Sequence, residues 1–463
     1  MSLIKSISGI RGTIGGVAGE GLTPLDVVKF TSAFATFLKS QPNASKRLRI
    51  AVGRDARLSG DMVDRLVVGT LVGMGIDVLE TGLSTTPTTE MTVIDGHCDG
   101  GIIITASHNP KHWNALKLLN ARGEFISDAE GKEVLRLAES GEVSYAEVDD
   151  LGHITTEDDW IDRHIDRVLA LGLVDTEAIR KAGFKVAVDA VNSTGGLAIP
   201  RLLRRLGVAD VVELNCEPTG RFAHNPEPIP QNLTDISRVV RENRCDLGVV
   251  VDPDVDRLAL VCETGDMFGE EYTLVSVADY VLQHTPGNTV SNLSSSRALR
   301  DVTHRYASCS YAAAAVGEVN VTTLMRQTGA VIGGEGNGGV IYPELHYGRD
   351  ALVGVALFLT LLAKSGKKAS ELRRTYPEYI ISKNRKDLTP DMDVDALLHK
   401  VAAHYERAEG VEKVTTIDGV KIDFADGWVH LRKSNTEPII RIYSEAATEE
   451  RANVLAAAVM QQI

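Results

Sequence analysis

Three acidic residues at alternate positions are the first candidates for chemistry in this sequence. Asp252, Asp254 and Asp256 follow an apolar run in LGVVVDPDVDR, residues 247–257. Carboxylates this close repel one another, so the arrangement needs a cation to be favourable. A hard divalent ion that prefers oxygen ligands, Mg²⁺ in particular, suits such a set. We therefore predict a magnesium site at the end of a buried strand, with a solvated acidic turn as the simpler alternative.

Two other interpretations of the acidic stretch stay open. A calcium-binding EF-hand has acids at positions 1, 3, 5 and 12, and Glu263 falls on the twelfth, but Arg257 stands where glycine is expected. An apolar strand rather than a helix also precedes the stretch. A magnesium-dependent phosphatase of the haloacid type would use Asp252 as its nucleophile, although Asp256 occupies a position where that pattern has Thr or Val.

A second strand ends in a serine that no structural rule requires. The stretch IIITASHNP, residues 102–110, places Ser107, His108 and Asn109 together after an apolar run. Ligands of open parallel sheets collect outside the carboxyl ends of the strands. A serine nucleophile needs a base to activate it, and no GxSxG turn surrounds this one. A hydroxyl that stores a phosphoryl group would need no triad, so we favour that role over a plain turn.

Two further loops offer ligands for a sugar or a phosphate. GGEGNGG, residues 333–339, presents Glu335 and Asn337 on a backbone that a ligand can approach closely. RKSNTEPIIR, residues 432–441, gathers guanidinium, ammonium, hydroxyl and amide donors of the kind that hold phosphate. Each loop alone is a weak signal, and the second is also compatible with a solvated basic turn. Its donors are Arg432, Lys433, Ser434, Asn435, Thr436 and Arg441.

These side chains must be positioned by alternating strands and helices. Residues 49–82 read as strand, polar loop, helix and strand, and residues 185–215 repeat that plan, which indicates βαβ units and parallel sheets. A third unit begins near 288, and about the last ninety residues read as a smaller α+β domain. We expect four domains, over residues 1–153, 154–256, 257–368 and 369–463.

Composition limits the partners of this 463-residue chain. A net charge of −14 argues against nucleic acid and anionic membranes, both of which need a surplus of Lys and Arg. The start MSLIKSISGIRG lacks an apolar signal region, and the apolar run 351–363 is too short to span a bilayer, so we expect a buried helix there. The five cysteines have no CxxC spacing, which favours free thiols and a cytoplasmic protein.

Together, TASHNP, DPDVDR, GEGNGG and RKSNTEPIIR resemble, in this order, the α-D-phosphohexomutase family, and the likeness covers essentially the full chain. It is closest to the archaeal-type phosphoglucosamine mutase branch. The resemblance implies an α/β fold with three similar α/β domains of mixed, mostly parallel sheets. A fourth, C-terminal α+β domain resembling the TATA-box-binding protein would complete a central cleft.

The resemblance also implies a role for each candidate residue. Ser107 matches the family's phosphoserine, and a phosphate oxygen on it would join the three aspartates around one Mg²⁺ per chain. Glu335 and Asn337 match the loop that reads the sugar. The non-reacting phosphate would be held by Arg432, Ser434, Asn435, Thr436 and Arg441. The remaining matched residues are Arg11 and Arg257, which would stabilise charge, and Lys117 and His108, the candidates for acid and base.

The implied activity is that of an isomerase that moves a phosphoryl group within one molecule. Hexose 6-phosphate and hexose 1-phosphate would interconvert through phosphoserine and a hexose 1,6-bisphosphate, which also serves as activator. Glucosamine phosphate is favoured over glucose or mannose phosphate, and a sugar-phosphate phosphatase is the alternative of another class. We expect small-molecule sugar phosphates as the only partners, and a monomer or homodimer.

Two departures from the family pattern bear on the substrate. Bacterial members usually carry GExSGH, whereas here Asn337 replaces the serine and Gly339 the histidine. The usual threonine and its basic or proline neighbour are alanines in YAAAAVGEVN, residues 311–320, which puts contacts from residues 312–315 in doubt.

Overall fold

A computed structural model describes residues 2–6, 9–42, 44–389, 392–434 and 439–462. The chain forms two compact units, which are described separately. The first contains Met1–Thr273 and Asn337–Arg373, and the second contains Leu274–Gly336 and Arg374–Ile463. Across the described ranges, none of the helices is both long and apolar enough to cross a membrane.

The first unit opens with a mixed seven-stranded sheet. Its elements are β1 (Leu3–Ser6), β2 (Gly9–Thr13), α1 (Pro24–Lys39), β3 (Arg49–Arg54), α2 (Gly60–Gly73), β4 (Asp77–Leu83), α3 (Thr86–Asp95), β5 (Gly100–Ile104), β6 (Trp113–Asn120), α4 (Asp128–Ser140), a 3₁₀ turn (Val148–Asp150) and β7 (Ile154–Thr156). The strand order is β1-β2-β6-β5-β3-β4-β7. Strands β5, β3, β4 and β7 are parallel, whereas β1, β2 and β6 pair antiparallel.

Local chemistry explains where these elements begin. Helix α1 starts after Thr23, whose hydroxyl accepts from the Asp26 backbone while the Asp26 carboxylate accepts from the Thr23 backbone. Pro24 stands at the first helical position, where its missing N–H costs nothing. Phe30 and Phe34 then bury the apolar face of the helix in the core of the sheet.

A second, four-stranded sheet follows in the same unit. Its elements are α5 (Trp160–Leu169), α6 (Thr176–Ala182), β8 (Lys185–Asp189), α7 (Gly195–Leu206), β9 (Asp210–Leu214), a 3₁₀ turn (Pro230–Asn232), α8 (Thr234–Glu242), β10 (Leu247–Val251) and β11 (Leu258–Cys262). The order is β11-β10-β8-β9. Strands β9, β8 and β10 are parallel, and β11 returns antiparallel to β10. Every residue of β10 is buried.

The next region contributes to both units. Its elements are α9 (Glu270–His284), β12 (Asn288–Asn292), α10 (Ala298–Thr303), β13 (Tyr311–Ala314), α11 (Glu318–Thr328), β14 (Ala330–Glu335), β15 (Gly339–Ile341), α12 (Ala351–Ser365) and α13 (Ala369–Arg373). In the second unit, β12 pairs in parallel with both β13 and β14. In the first unit, α12 is buried from Ala351 to Leu362, which confirms the buried helix predicted from the apolar run.

The C-terminal region of the second unit is an antiparallel sheet with two helices. Its elements are β16 (Ile380–Asp387), α14 (Val394–Tyr405), β17 (Val411–Thr415), β18 (Val420–Phe424), β19 (Gly427–Lys433), β20 (Ile439–Ala446) and α15 (Glu449–Met460). The order is β16-β20-β19-β18-β17. Apolar residues of both helices and of the inner strands share one core. Three α/β regions and a terminal α+β region confirm the predicted fold class, while the exact domain boundaries stay predictions.

One pair of carboxyl groups in the first unit makes stability depend on pH. Asp64 on α2 is only 5 % exposed, and its Oδ1 makes no hydrogen bond within the described residues. Burial, followed by the neighbouring charge of Glu80 on β4, raises the pKa of Asp64 to about 7. The folded state therefore binds a proton that the unfolded chain has released, so stability falls as the pH rises from about 4 to about 7.

We predict that Asp64→Asn relieves this cost. Between pH 7 and 8 the variant should be more stable than the natural chain by about 1–3 kcal/mol, and near pH 4.5 the difference should nearly vanish. Thermal unfolding across that pH range measures the effect. Asp61→Asn, one turn away and exposed, is the control and should show no gain that grows with pH. An equal effect of Asp64→Asn at both pH values contradicts the prediction.

Candidate active site

Ser107 lies just beyond a buried strand, in a backbone conformation that few residues adopt. Every residue of β5 is buried, and the chain then turns so that Ser107 has a φ of 48°. A left-handed conformation costs a non-glycine residue about 1–2 kcal/mol, so the surroundings must impose it. The Ser107 amide donates to Thr105 Oγ1 at 2.9 Å, which fixes the direction of the turn.

A buried arginine, Arg57, anchors the loop that carries Ser107. Arg57 Nε bonds Asp55 Oδ2 at 2.9 Å, and both side chains are fully buried. Arg57 Nη1 donates to the carbonyls of Pro110 and Trp113, both at 3.0 Å, and Nη2 donates to the carbonyl of Ser107. One rigid guanidinium thereby fixes both ends of the loop between β5 and β6.

The three aspartates lie together at the end of β10 in the same unit. Asp252, Asp254 and Asp256 are each 0 % exposed, and one ligand atom from each lies within 4.8 Å of the others. Burial, reinforced by Asp256 and Asp254, raises the pKa of Asp252 well above its ordinary value. This shift is the electrostatic cost of placing three carboxylates in one buried loop.

Two cations from distant parts of the chain neutralise part of that charge. Lys117 Nζ on β6 lies 2.7 Å from Asp254 Oδ2 and 3.4 Å from Asp256 Oδ2, and Arg349 Nη2 lies 2.6 Å from Asp256 Oδ2. Burial acts against charge on Asp254, but Lys117 outweighs it and lowers the pKa of that carboxyl. Burial likewise opposes charge on Lys117, but the two aspartates raise its pKa.

Neighbouring elements fix the backbone of the aspartate loop. Ser193 and Thr194, which follow β8, donate their hydroxyls to the Pro253 carbonyl at 2.6 and 2.9 Å. Thr86 at the start of α3 donates its amide to the Asp254 carbonyl and its hydroxyl to Asp254 Oδ2, at 2.8 and 2.6 Å. Val255 adopts a φ of 66°, which is unusual for a β-branched residue and imposed by these anchors.

The serine and the aspartates meet directly. Ser107 Oγ donates to Asp252 Oδ2 at 2.6 Å, and the Arg257 amide donates to Asp252 Oδ1 at 3.1 Å. The hydroxyl therefore lies beside the carboxylate cluster, as the sequence interpretation required. The stretch is no EF-hand, because β10 and β11 flank it, and Glu263 instead accepts from Ser370.

The aspartate cluster suits a divalent cation. Asp254 Oδ1 and Asp256 Oδ1 are buried, and neither accepts a hydrogen bond from the described residues. Such orphaned carboxylate oxygens are costly unless an ion binds them. A set made of oxygen donors only is the kind that Mg²⁺ prefers, so the residues fit the predicted ion.

Positively charged side chains also lie near the serine loop. Arg11 Nη1 on β2 donates to Asn109 Oδ1 at 3.2 Å, and burial, followed by the charge of Arg257, lowers the pKa of Arg11. Arg257 Nε is buried and makes no hydrogen bond with any described residue. Burial and these arginines lower the pKa of His108 well below its ordinary value, while its Nδ1 lies 3.3 Å from Ser107 Oγ. Positive charge at these positions favours an anion beside Ser107.

In the second unit, Glu335 ends β14 in a network of strand termini. Its carboxylate is 4 % exposed, and Oε1 accepts from Asn292 Nδ2 at 2.8 Å and from the Gly317 amide at 3.1 Å. Ser295 Oγ donates to Asn292 Oδ1 and accepts from the Gly336 amide, at 3.1 and 2.9 Å. The carboxyl ends of β12 and β14 thus hold Glu335 in place.

The C-terminal sheet carries a row of arginines. Arg441 on β20 lies opposite Arg432 on β19 and opposite Arg385 on β16. Directly opposite residues share one face of the sheet, and like charges there repel. His430, two residues before Arg432 on that face, bonds Ser294 and the Asp418 carbonyl, and burial lowers its pKa to about 3. Three adjacent guanidinium groups beside a neutral histidine make this face suitable for an anion.

Known proteins resemble the whole chain. Four domain families of phosphoglucomutase/phosphomannomutase match it: α/β/α domain I at residues 4–144, α/β/α domain II at 162–265, α/β/α domain III at 269–379 and the C-terminal domain at 386–462. The chain belongs to the phosphoglucomutase/phosphomannomutase family. It is therefore a phosphohexomutase, an isomerase of the intramolecular phosphotransferase class, as the four sequence motifs predicted.

Individual relatives of this phosphohexomutase cover nearly its full length. A phosphoglucomutase/phosphomannomutase of Thermococcus kodakarensis is 38% identical over 445 residues, 95% of each chain. A phosphoglucosamine/phosphogalactosamine mutase of Sulfurisphaera tokodaii is 33% identical over 460 residues, 98% of each. The crystal structure of a phosphoglucomutase/phosphomannomutase family protein from Burkholderia thailandensis superposes with a TM-score of 0.86 at 25% identity, covering 99% of this chain and 96% of that one.

The structure brings most predicted site residues of the phosphohexomutase into two groups. The first unit gathers Ser107, His108, Arg11, Lys117, Asp252, Asp254, Asp256 and Arg257. Asn337 also belongs to that unit, and its Oδ1 accepts from the Gly339 amide at 3.2 Å. The second unit holds Glu335, Arg432, Ser434 and Arg441. Asn435 and Thr436 lie outside the described residues.

Sequence reasoning missed several residues that position these groups. Arg57, Arg349, Arg385 and Asn292 were not predicted, although GRDARLSG after β3 places two arginines and an aspartate at a strand end. The structure also gives a reason for one departure from the family pattern. A side chain at Gly339 would collide with the side chain of Arg349, so glycine there leaves room for the arginine that pairs with Asp256.

We predict that Arg57→Lys weakens both the fold and the activity. A lysine replaces a fork of donors by one ammonium group, so buried carbonyls of the serine loop lose their partners, at a cost of about 2–4 kcal/mol. Mutase activity should fall at least about tenfold because Ser107 is no longer held. Urea unfolding and steady-state rates measure the two effects.

The matched control is Arg238→Lys on α8, where the arginine is exposed and pairs with Asp235 and Glu242. This change should alter stability by less than about 0.5 kcal/mol. Equal effects of the two substitutions would show that Arg57 does not hold the loop.

Proposed function

We propose that the enzyme interconverts hexose 6-phosphate and hexose 1-phosphate by lending and reclaiming a phosphoryl group at Ser107. The observation that carries this proposal is the 2.6 Å hydrogen bond between Ser107 Oγ and Asp252 Oδ2. A hydroxyl beside three buried carboxylates, in a loop near Arg11 and Arg257, suits a phosphoryl carrier.

The transfer proceeds in two balanced steps. First, a hydroxyl oxygen of the sugar monophosphate attacks phosphoserine, the bond from phosphorus to Ser107 Oγ breaks, and a hexose 1,6-bisphosphate forms. The hydroxyl proton passes to a base, and Ser107 regains a proton. After the bisphosphate reorients, Ser107 Oγ gives up its proton to a base and attacks the other phosphate. The bond between that phosphorus and the sugar oxygen breaks, the sugar oxygen gains a proton, and the isomeric monophosphate leaves. His108, which is neutral and 3.3 Å from Ser107 Oγ, and Lys117 are the candidates for moving these protons.

Charge stabilisation is the main demand of phosphoryl transfer, because negative charge spreads over the oxygens in transit. One Mg²⁺ per chain, held by Asp252, Asp254, Asp256 and a phosphate oxygen on Ser107, would supply a cation at that point. We assign to Arg11 and Arg257 the stabilisation of the same negative charge on the transferring oxygens. Lys117 and Arg349 keep the aspartates ionised and in place.

The remaining predicted residues would bind the sugar and the phosphate that does not react. Glu335 and Asn337 would bind sugar hydroxyl groups. The non-reacting phosphate would be bound by Arg432, Ser434, Asn435, Thr436 and Arg441, and we add Arg385 because it shares the arginine row. Either phosphate of the bisphosphate must be able to bind to the same donors. Arginines meet this requirement because they recognise any phosphate.

We propose glucosamine phosphate as the preferred substrate, with glucose and mannose phosphates as the alternative. The name of the Sulfurisphaera relative includes phosphoglucosamine, whereas the Thermococcus relative is named for glucose and mannose phosphates. The phosphatase alternative finds no support in these comparisons. The cytoplasmic location and the monomeric or homodimeric state belong to this proposal as well.

The phosphoserine is tested by mass and by substitution. We predict that treatment with a hexose 1,6-bisphosphate adds about 80 Da to the peptide that contains Ser107. Ser107→Ala should lose that mass and at least about a thousandfold of the mutase activity, because the transferring oxygen is gone. Intact and peptide mass spectrometry and a coupled rate assay measure both.

Ser140→Ala, at the end of α4 and remote from the chemistry, is the control and should keep both the label and the rate. Mutase turnover by Ser107→Ala at the rate of the natural chain, or label on another peptide, would reject the phosphoserine mechanism.

The substrate is tested by comparing kcat/KM on glucosamine, glucose and mannose 6-phosphates. We predict that glucosamine 6-phosphate leads by roughly tenfold, which corresponds to the net free energy of about one hydrogen bond. Glu335→Gln should narrow the difference, since it removes a carboxylate that attracts the substrate ammonium. A higher kcat/KM on glucose or mannose 6-phosphate sinks the glucosamine assignment and leaves the mutase assignment intact.

A further inference from the structure

The first unit contains a second cluster of metal-ligating side chains that the mutase chemistry does not use. Its members are Glu90 on α3, His164 on α5, and His346 and Asp350 before α12. Each is at most 4 % exposed. One ligand atom each from His164, His346 and Asp350 lies within 4.8 Å of the others. We propose that this cluster, the histidine site, binds a structural Zn²⁺ ion.

The distances within the histidine site suit a tetrahedral metal. Asp350 Oδ2 lies 3.0 Å from His164 Nε2 and 3.3 Å from His346 Nε2. Ligands about 2.0–2.1 Å from a tetrahedral centre lie about 3.3 Å from one another. Asp350 Oδ1 is already used, since it accepts from the amides of Leu352 and Val353 at 2.7 and 3.4 Å. Oδ2 is therefore the atom that faces the two imidazoles.

Each histidine also has a partner for its second ring nitrogen. His164 Nδ1 lies 3.0 Å from Thr88 Oγ1, and His346 Nδ1 lies 3.4 Å from Glu90 Oε2. Histidines that bind a metal usually donate their other N–H to an oxygen of this kind, which fixes the tautomer. A side chain at Gly348 would overlap the Glu90 carboxylate, so glycine there lets Glu90 approach His346.

Proton accounting favours a metal over a neutral hydrogen-bonded pair. If each Nε2 carries the proton and donates to Asp350, the lone pair of His346 Nδ1 faces the Glu90 carboxylate. That buried nitrogen makes no hydrogen bond within the described residues. If Zn²⁺ takes both Nε2 atoms, the proton of His346 moves to Nδ1 and points at Glu90. Two neutral imidazoles and two carboxylates then balance the charge of one divalent ion.

The ligand chemistry selects a different metal from the one at the aspartate loop. Imidazole nitrogen favours borderline-soft ions such as Zn²⁺, whereas the aspartates offer only oxygen and favour Mg²⁺. The ligands of the histidine site are at most 4 % exposed, and such burial suits a structural rather than a catalytic site. Its function would be to fix the segment that carries Arg349, which pairs with Asp256.

The test is metal analysis of the full-length protein. After dialysis against EDTA and addition of Zn²⁺, we expect about one zinc per chain to remain after gel filtration and the Tm to rise by several degrees. Zinc-edge X-ray absorption should show only nitrogen and oxygen ligands near ~2.0 Å, with the outer-shell pattern of two imidazoles. His164→Asn and His346→Asn should each lose the ion and the Tm shift.

Two control variants should keep the zinc: Asp254→Asn in the aspartate loop, and His430→Asn, a buried histidine of the second unit. Failure of the natural chain to retain zinc or to gain stability from it overturns the proposal and leaves a hydrogen-bonded network of histidines and carboxylates. Zinc that is lost in Asp254→Asn and kept in His346→Asn overturns it as well. Should the histidine variants fail to fold, the absorption spectrum of the natural chain decides alone.

Discussion

The burial of three carboxylates in one loop is the constraint on which the first unit depends. Asp252, Asp254 and Asp256 are fully buried, and removing such charges from water costs several kcal/mol each before any pairing. Lys117 and Arg349 return part of that cost, and each comes from a different element. Because two cations face three carboxylates, the loop keeps a surplus of negative charge that draws in a divalent cation.

The surplus negative charge of the aspartate loop can act on Ser107 only because the serine is held at a fixed distance from the carboxylates. Arg57 fixes the serine loop by donating to three backbone carbonyls, and Ser193 and Thr194 fix the aspartate loop through Pro253. Both loops contain a non-glycine residue at positive φ. Backbone strain is therefore present on both sides of the contact between Ser107 and Asp252. Strain of this kind is found where groups are pre-organised for reaction.

The sequence revealed the candidate site residues better than the residues that position them. Ser107 and the three aspartates were predicted because each follows an apolar strand, and a local pattern is enough to see that. Arg57 and Arg349 were not, because their partners lie 50 and 93 positions away in the chain. No local sequence pattern shows which distant carbonyl or carboxylate an arginine will contact after folding.

The same distinction holds for the fold. Strand and helix alternation predicted the α/β regions, and the apolar run at 351–363 predicted a buried helix. The antiparallel returns of β6 and β11 were not predicted, since a short apolar strand does not encode the direction of its neighbour. The arginine row became visible only through register: Arg385 lies far from the predicted loop in sequence, yet opposite Arg441 in the sheet.

Two segments of the first unit join the aspartate loop to the histidine site. Arg349, Asp350 and Ala351 are consecutive, and they contact Asp256, the two histidines and the Val255 carbonyl respectively. Helix α3 also joins the two sites. Thr86 in its first turn bonds Asp254, while Thr88 and Glu90 contact His164 and His346.

Consecutive Cα atoms keep a fixed spacing of about 3.8 Å, so a shift of Asp350 is passed on to Arg349 beside it. Displacing Asp350 by an ångström would therefore stretch the 2.6 Å pair between Arg349 and Asp256. Leaving one partner of a buried ion pair uncompensated costs about 3–5 kcal/mol. The packing of the interior histidines and the geometry of the aspartate loop are thus set by the same few backbone positions.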